Sequence, residues 1–156
     1  ISFARGVLDV GEPMAVPVIR LLKKWVIPLA GQTVIRDAPP GTSCPVVETV
    51  RGSDYLLLVT EPTPFGLHDL SLAAQVADEL NIPAGVIVNR ENGPYAPLDE
   101  FCDAHRLPVL LRIPFEREIA EGIAQGKFLI EIRPIYQSRL QDVFARMNAS
   151  CQRAGS

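Results

Sequence analysis

The sequence predicts an α/β fold, in which a mostly parallel sheet is flanked by helices. Four short segments are almost continuously apolar, which is typical of strands covered on both faces. Each of the three intervals between them is long enough for a crossover helix, whereas a hairpin needs only about two to five residues. The four predicted strands are residues 33–37, 55–60, 85–89 and 109–113.

Apolar residues at helical spacing predict the helices that connect these strands. The clearest case is residues 66–80, where Leu70, Ala74 and Ala77 fall on one face and charged residues fall on the other. Asn81 and Pro83 end this helix. The other predicted helices are residues 13–25, 97–105, 116–125 and 134–152, and residues 6–10 predict a further short strand.

Length and composition limit the classes of protein to consider. The chain has 156 residues, enough for one domain with a substantial core, and a net charge of -3 without a basic run, so we expect no nucleic-acid surface. No apolar segment reaches the ~20 residues of a membrane span. Its three scattered cysteines form no disulfide framework, which favours the cytoplasm. Because the first residue is not Met, we expect a preceding segment.

Residues 33–47 (TVIRDAPPGTSCPVV) predict a strand, an acidic tip, a tight turn and the start of a helix. Asp37 at the tip could hold Mg²⁺ through water. Gly41 has no side chain, so its backbone N–H could approach a phosphate closely. An ordinary strand-to-helix connection has the same composition, and both interpretations stay open.

Polar or turn residues follow each of the four predicted strands. Because the carboxyl ends of parallel strands meet at one edge of a sheet, we expect these residues to converge on a single site. They are Asp37, Pro40 and Gly41; Glu61 and Pro62; Asn89 and Arg90; and Pro114 and Phe115.

Asn89 carries both an amide donor and a carbonyl acceptor, the pairing that an adenine edge offers. A guanine site would need a carboxylate shortly afterwards, but Asn92 occupies that position. Asn89 as an ordinary turn residue remains the alternative. Pro114 and Phe115 could be a wall for the base or part of the core.

The chain contains no GxxxxGK[ST] loop to bind phosphates. The nearest match, GIAQGKF at residues 122–128, has one residue too few between its glycines and Phe128 in place of Ser or Thr. A helix also precedes it where a strand belongs. We therefore reject it as a phosphate loop.

Three stretches together carry a resemblance to a known family: residues 37–70 (DAPPGTSCPVVETVRGSDYLLLVTEPTPFGLHDL), GVIVNR, and IPFEREIAEGIAQGK. They resemble the C-terminal half of MinD-like P-loop ATPases with an inserted ferredoxin domain, of the MinD/ParA, Mrp and nitrogenase iron protein superfamily. The resemblance covers about residues 6–127. It implies a SIMIBI-type P-loop NTPase fold, with ATP or ADP and Mg²⁺ as ligands.

The resemblance also implies roles for individual residues. Asp37 matches the Mg²⁺-water ligand of the second switch, and Gly41 matches the amide that senses the γ-phosphate. Asn89 and Arg90, with Pro114, match the adenine pocket. The segment containing Glu61 and Pro62 would lie near the nucleotide and a dimer face, since these ATPases commonly bind ATP between two subunits.

Cys44 lies seven residues after Asp37, a spacing that also resembles the cluster-ligating cysteine of the nitrogenase iron protein. Its position near a helix start favours the thiolate. A buried, inert thiol is the preferred interpretation. A [4Fe-4S] cluster would need the absent insert, or Cys44 of a second subunit.

The sequence therefore predicts one α/β domain over residues 1–156 that is the C-terminal portion of a larger ATP-dependent switch protein. We expect a homodimer, a separate segment or subunit that supplies the phosphate loop, and a protein client of unknown identity. By itself the chain should bind ATP weakly or not at all. The alternatives are a non-catalytic dimerisation or docking module and an iron–sulfur electron carrier.

Overall fold

The computed structural model describes residues 2–9, 14–29 and 31–154, with side chains up to Gln152. The chain divides into two compact units, Ile1–Ser53 and Asp54–Ser156, which we call the N-terminal unit and the C-terminal unit. In chain order the elements are α1 (Val16–Trp25), α2 (Cys44–Val50), β1 (Leu56–Thr60), α3 (Pro64–Glu79), β2 (Ala84–Glu91), α4 (Ala96–Ala104), β3 (Val109–Pro114), α5 (Arg117–Ala124), α6 (Leu129–Ile132) and α7 (Ile135–Ala154).

The C-terminal unit contains a three-stranded sheet in the order β1-β2-β3. Both pairs of neighbours are parallel: Leu56 of β1 pairs with Ala84 of β2, and Val86 of β2 pairs with Val109 of β3. Helices α3 and α4 form the two crossovers, as parallel strands require. The predicted parallel α/β fold is confirmed.

Two clusters of buried side chains pack against β2 and β3. Alternation along β2 sends Val86 and Val88 into one cluster and Ile87 into the other, as the two-residue period of a strand requires. Helices α3 and α4 complete the first cluster, and α7 completes the second. The first comprises Leu70, Val86, Val88, Leu98 and Cys102, and the second Ile87, Leu110, Leu111, Tyr136 and Val143.

Strand β1 departs from the prediction of coverage on both faces. Leu56 and Thr60 are buried, but Leu57 is exposed and Val59 is 63% exposed. Among the described residues, β1 pairs with β2 alone, so one of its edges has no strand partner. One face and one edge of a strongly apolar strand are therefore open.

The described residues of the N-terminal unit bury little apolar surface. Helix α1 has no buried residue, and α2 buries Val46 and Thr49. Polar contacts connect the two helices: the Lys23 ammonium donates to the carbonyl oxygens of Glu48, at 2.6 Å, and Arg51, at 2.8 Å. Burial lowers the pKa of Lys23, and the Arg36 guanidinium lowers it further.

Residues 33–37 do not form the predicted strand. A strand needs a neighbour to pair its backbone N–H and C=O groups, and no strand of the described chain pairs with this segment. Its apolar side chains are not covered either, since Ile35 is 90% exposed. The strand predicted at residues 6–10 is also absent over residues 6–9, and Val10 lies outside the described residues.

No helix in the described ranges combines the length and apolar character needed to cross a bilayer.

Candidate functional site

The turn between β1 and α3 is held tightly by its own side chains. The Thr60 hydroxyl donates to the carbonyl of Gly66 at 2.8 Å, and the Gly66 amide donates to the Thr63 hydroxyl at 3.0 Å, which caps α3. A Cβ on Gly66 would lie 2.2 Å from the carbonyl oxygen of Glu61. Only glycine fits at this position, so the turn fixes Glu61 at the tip of β1.

The end of β2 contains a bulge that carries Asn89 and Arg90. Val88 pairs with Arg112 and Glu91 pairs with Pro114, so two residues of β2 lie opposite one residue of β3. Arg90 has a φ of 53°, in the left-handed region that non-glycine residues seldom adopt. Bulges of this kind redirect side chains at the ends of strands.

Residues from all three strand ends meet through Arg90. Its Nη1 lies 3.2 Å from Oε1 of Glu61, and its guanidinium carbon lies 6.0 Å from the centroid of the Phe115 ring. Both members of the ion pair are substantially exposed, so the pair contributes little to stability. It does establish that Glu61, Arg90 and Phe115 converge at the carboxyl edge of the sheet.

The other residues predicted for this edge lie close by along the chain. Asn89 is half-buried at the end of β2, Pro62 is half-buried in the turn after β1, and Pro114 is exposed at the end of β3. Pro114 contributes to the wall of a shallow, open depression of about 610 Å³. Neither Pro114 nor Phe115 is a core residue.

A second charged group at this edge was not predicted. Arg112 of β3 forms ion pairs with Glu91 at the end of β2 and with Asp99 in the first turn of α4. Burial works against the charged form of Arg112, but its hydrogen bonds to Asp99 and Glu91 outweigh burial and raise its pKa. The partners are 13 and 21 residues away in sequence, and no local pattern links them.

The N-terminal unit contains the remaining predicted site residues. Asp37, Pro40 and Gly41 are exposed, and no described side chain forms an ion pair with the Asp37 carboxylate. Gly41 has a φ of 91° and nothing within 4 Å of where its Cβ would be. The backbone at this position is therefore open to approach.

The preferred interpretation of Cys44 as a buried thiol is wrong. Cys44 is exposed at the first residue of α2, whereas Cys102 is buried in the core of the C-terminal unit. The helix beginning at Cys44 buries residues further along it, Val46 and Thr49, and leaves its first residue in solvent. Among the described residues, no group of three or more His, Cys, Asp or Glu side chains could hold a metal ion.

Comparison with known proteins adds two uncharacterised relatives. No family model matches the chain. One protein of Methanocaldococcus jannaschii is 29% identical over 126 residues, which covers 81% of this chain and 44% of that protein. A second protein of the same organism is 23% identical over 144 residues, covering 91% and 49%. The chain thus spans about half the length of the curated relatives it matches.

Solved structures similar to the chain include two MinD proteins. The cell division ATPase MinD of Pyrococcus furiosus aligns with a TM-score of 0.54 and 21% identity, over 77% of this chain and 51% of that chain. The MinD cell division protein of Aquifex aeolicus aligns with a TM-score of 0.58 and 19% identity, over 72% and 51%. The chain therefore shares the α/β fold of these two MinD proteins, over about half the length of each.

Proposed function

We propose that the chain is the switch and base-binding part of an ATP-dependent switch ATPase of the MinD type. The observation that carries this proposal is the meeting of Glu61, Arg90 and Phe115 at the carboxyl edge of a parallel sheet, because open α/β sheets bind their ligands outside that edge. The fold similarity to MinD supports the same assignment.

The base would bind beside the bulge at the end of β2. Asn89 offers a donor and an acceptor to the edge of adenine, while Arg90 and Phe115 offer flat surfaces on which a base can stack. Pro62 and Pro114 would complete the walls. Asn92 has one acceptor oxygen where a carboxylate has two, so it cannot accept from both guanine N–H groups, which favours adenine over guanine.

Asp37, Pro40 and Gly41 would form the nucleotide-dependent switch. The exposed Asp37 carboxylate suits a Mg²⁺ ion held through water. The open space at Gly41, with its positive φ, suits close approach of the backbone N–H to the γ-phosphate. Bound Mg²⁺ would offset the negative charge of the phosphates, bound ATP would order this segment, and hydrolysis would release it.

We also propose that the chain is the C-terminal portion of a larger domain. Strand β1 has an open edge and an open face, with Leu57 and Val59 in solvent. A sheet would look like this if the strand next to β1 belonged to a segment outside these residues. Residues 33–37 pair with no described strand, and the chain spans about half the length of its relatives. Both observations support the same conclusion. A further segment or a separate subunit would supply the phosphate loop, and two copies would bind ATP between them.

Substitution of Asp37 tests the proposed switch. In the natural protein that contains this chain, Asp37→Ala should abolish Mg²⁺-dependent ATP hydrolysis while the thermal unfolding midpoint stays unchanged, because the carboxylate has no described ion-pair partner to lose. Phosphate release and circular dichroism measure the two effects. Asp78→Ala, which removes an exposed carboxylate from α3, is the matched control. Unchanged turnover in Asp37→Ala would remove Asp37 from the site.

The chain itself should bind Mg²⁺-ATP weakly or not at all, since it has no phosphate loop. Calorimetric titration with micromolar affinity would contradict this expectation and would show that the phosphate-binding groups lie within these residues.

A non-catalytic docking module is the second candidate. The exposed apolar side chains of the N-terminal unit favour it, among them Phe3, Trp25 and Ile27, because exposed apolar surface marks contact regions. A natural protein that forms a stable complex but hydrolyses no ATP would establish this function in place of the first. An iron–sulfur role would require the exposed Cys44 to ligate a cluster between two subunits, and anaerobic reconstitution followed by iron analysis tests it.

A further inference from the structure

The guanidinium of Arg112 connects three elements at the carboxyl edge of the sheet. It extends from β3, and its two terminal nitrogens donate to different carboxylates: Nη1 to Glu91 of β2 and Nη2 to Asp99 of α4. Glu91 follows Asn89 and Arg90 directly in β2, and Asp99 lies in the next element of the chain, α4. Arg112 therefore ties β2 and the first turn of α4 to β3.

The bulge is held at both of its ends along β2. Before it, Val88 pairs with Arg112 itself. After it, Glu91 pairs with Pro114, and the Glu91 carbonyl accepts from the Phe115 amide at 2.9 Å. Asn89 and Arg90 lie between these two attachment points, so the Arg112–Glu91 pair fixes the end of the segment that carries them.

The backbone of the bulge requires such support. Arg90 has its φ at 53°, a conformation that persists in a non-glycine residue when the surroundings hold it. The Arg90 side chain must also point in the direction that brings its guanidinium to Glu61 and Phe115. If Glu91 were released, Asn89 and Arg90 could return to a regular strand conformation, and both side chains would change direction.

We propose that Arg112 is the positioning residue of the base pocket: by holding Glu91 and Asp99 it sets the orientation in which Asn89 and Arg90 meet the base. The proposal rests on the function proposed above. Arg112 itself need not touch the nucleotide. Lysine cannot replace it fully, because a single ammonium lacks the rigid fork that reaches two carboxylates in fixed directions.

The test compares Arg112→Met, Arg112→Lys and a control, Arg117→Met, in the natural protein that contains this chain. Arg117 pairs with Glu121 on the exposed surface of α5, so the control removes an arginine ion pair that includes no residue of the bulge. For Arg112→Met we expect the Kd of ADP to rise about tenfold and the preference for ADP over GDP to shrink. The kcat at saturating ATP should change little, so the loss should appear in KM. Arg112→Lys should restore part of the affinity.

A readout without nucleotide separates the two proposals. Amide hydrogen exchange at Phe115, whose N–H bonds to Glu91, should accelerate in Arg112→Met and stay unchanged in Arg117→Met. If the wild type prefers ADP and Arg112→Met keeps the same affinity, preference and Phe115 protection, the positioning role is overturned while the proposed function stands. A wild type that binds no adenine nucleotide overturns the proposed function, and the role of Arg112 in it.

Discussion

Similar apolar segments form a strand in the C-terminal unit but not in the N-terminal unit. Residues 55–60 and 33–37 are both short apolar runs that end beside a polar tip, yet the first contains strand β1 and the second forms no strand. Strand β1 has β2 beside it and α3 against it. Residues 33–37 have no described strand as a neighbour. Apolar sequence alone does not make a strand; a neighbour with matching backbone groups does.

The largest expected difference is between the two units prepared separately. A fragment of residues 54–156 should show a cooperative thermal transition, because it contains both buried clusters. A fragment of residues 1–53 should show none, because its helices bury Val46 and Thr49 and little else. Calorimetry and amide exchange measure both. A cooperative transition in the shorter fragment would remove the contrast between the units.

A pair of leucine substitutions sharpens the comparison. Leu98 is 1% exposed in the core of the C-terminal unit, whereas Leu29 is 70% exposed in the N-terminal unit. Leu98→Ala should lower the free energy of unfolding by roughly 2–5 kcal/mol through lost burial and the cavity left behind. Leu29→Ala should change it by less than about 0.5 kcal/mol. Urea denaturation of the whole chain gives both values, and equal effects would contradict the assignment of the core.

A pair of glycine substitutions is expected to have a smaller effect. Gly66→Ala places a methyl group 2.2 Å from the Glu61 carbonyl oxygen, and the shift it forces should cost ~2 kcal/mol. Gly41→Ala strains a backbone with a φ of 91° but meets no atom. We expect it to leave the main unfolding transition where it is, since that transition belongs to the C-terminal unit. If both variants lowered the melting temperature, the two units would unfold together.

The smallest expected effect is a pH dependence from Cys102. Burial raises the pKa of this thiol, and the Asp99 carboxylate adds to the rise. At pH values below 9.0, the ordinary pKa of a thiol, the Cys102 thiol is protonated in both the folded and the unfolded chain. The free energy of unfolding is then not reduced by this group. As the pH rises above that value the unfolded thiol ionises first, so the free energy of unfolding falls. Urea denaturation at neutral and alkaline pH should show a smaller fall in Cys102→Ala, and an identical fall would contradict this origin.

The sequence allowed much of the C-terminal unit to be predicted. Its three strands, the crossover helices and the meeting of Glu61, Arg90 and Phe115 follow from apolar runs and from the geometry of parallel strands. Those features depend on residues close in sequence or on a general rule of topology. This is why local patterns were sufficient.

Features that depend on distant partners could not be predicted in this way. The cluster around Arg112 joins residues from three elements, and none of its members has a distinctive sequence context. Two wrong predictions, the strand at residues 33–37 and the buried thiol of Cys44, have a related cause. In both cases the expected burial required a covering element that the described residues of the N-terminal unit do not contain.

The composition of strand β1 has a practical consequence. Its sequence, LLLVT, contains neither a charged residue nor a proline, and one of its edges has no strand partner among the described residues. Proteins use charged residues and proline on such edges to prevent strands of different molecules from adding to one another. We therefore expect purified chains to stack strand to strand as concentration rises. Co-expression with the segment proposed above to complete the sheet should keep them monodisperse.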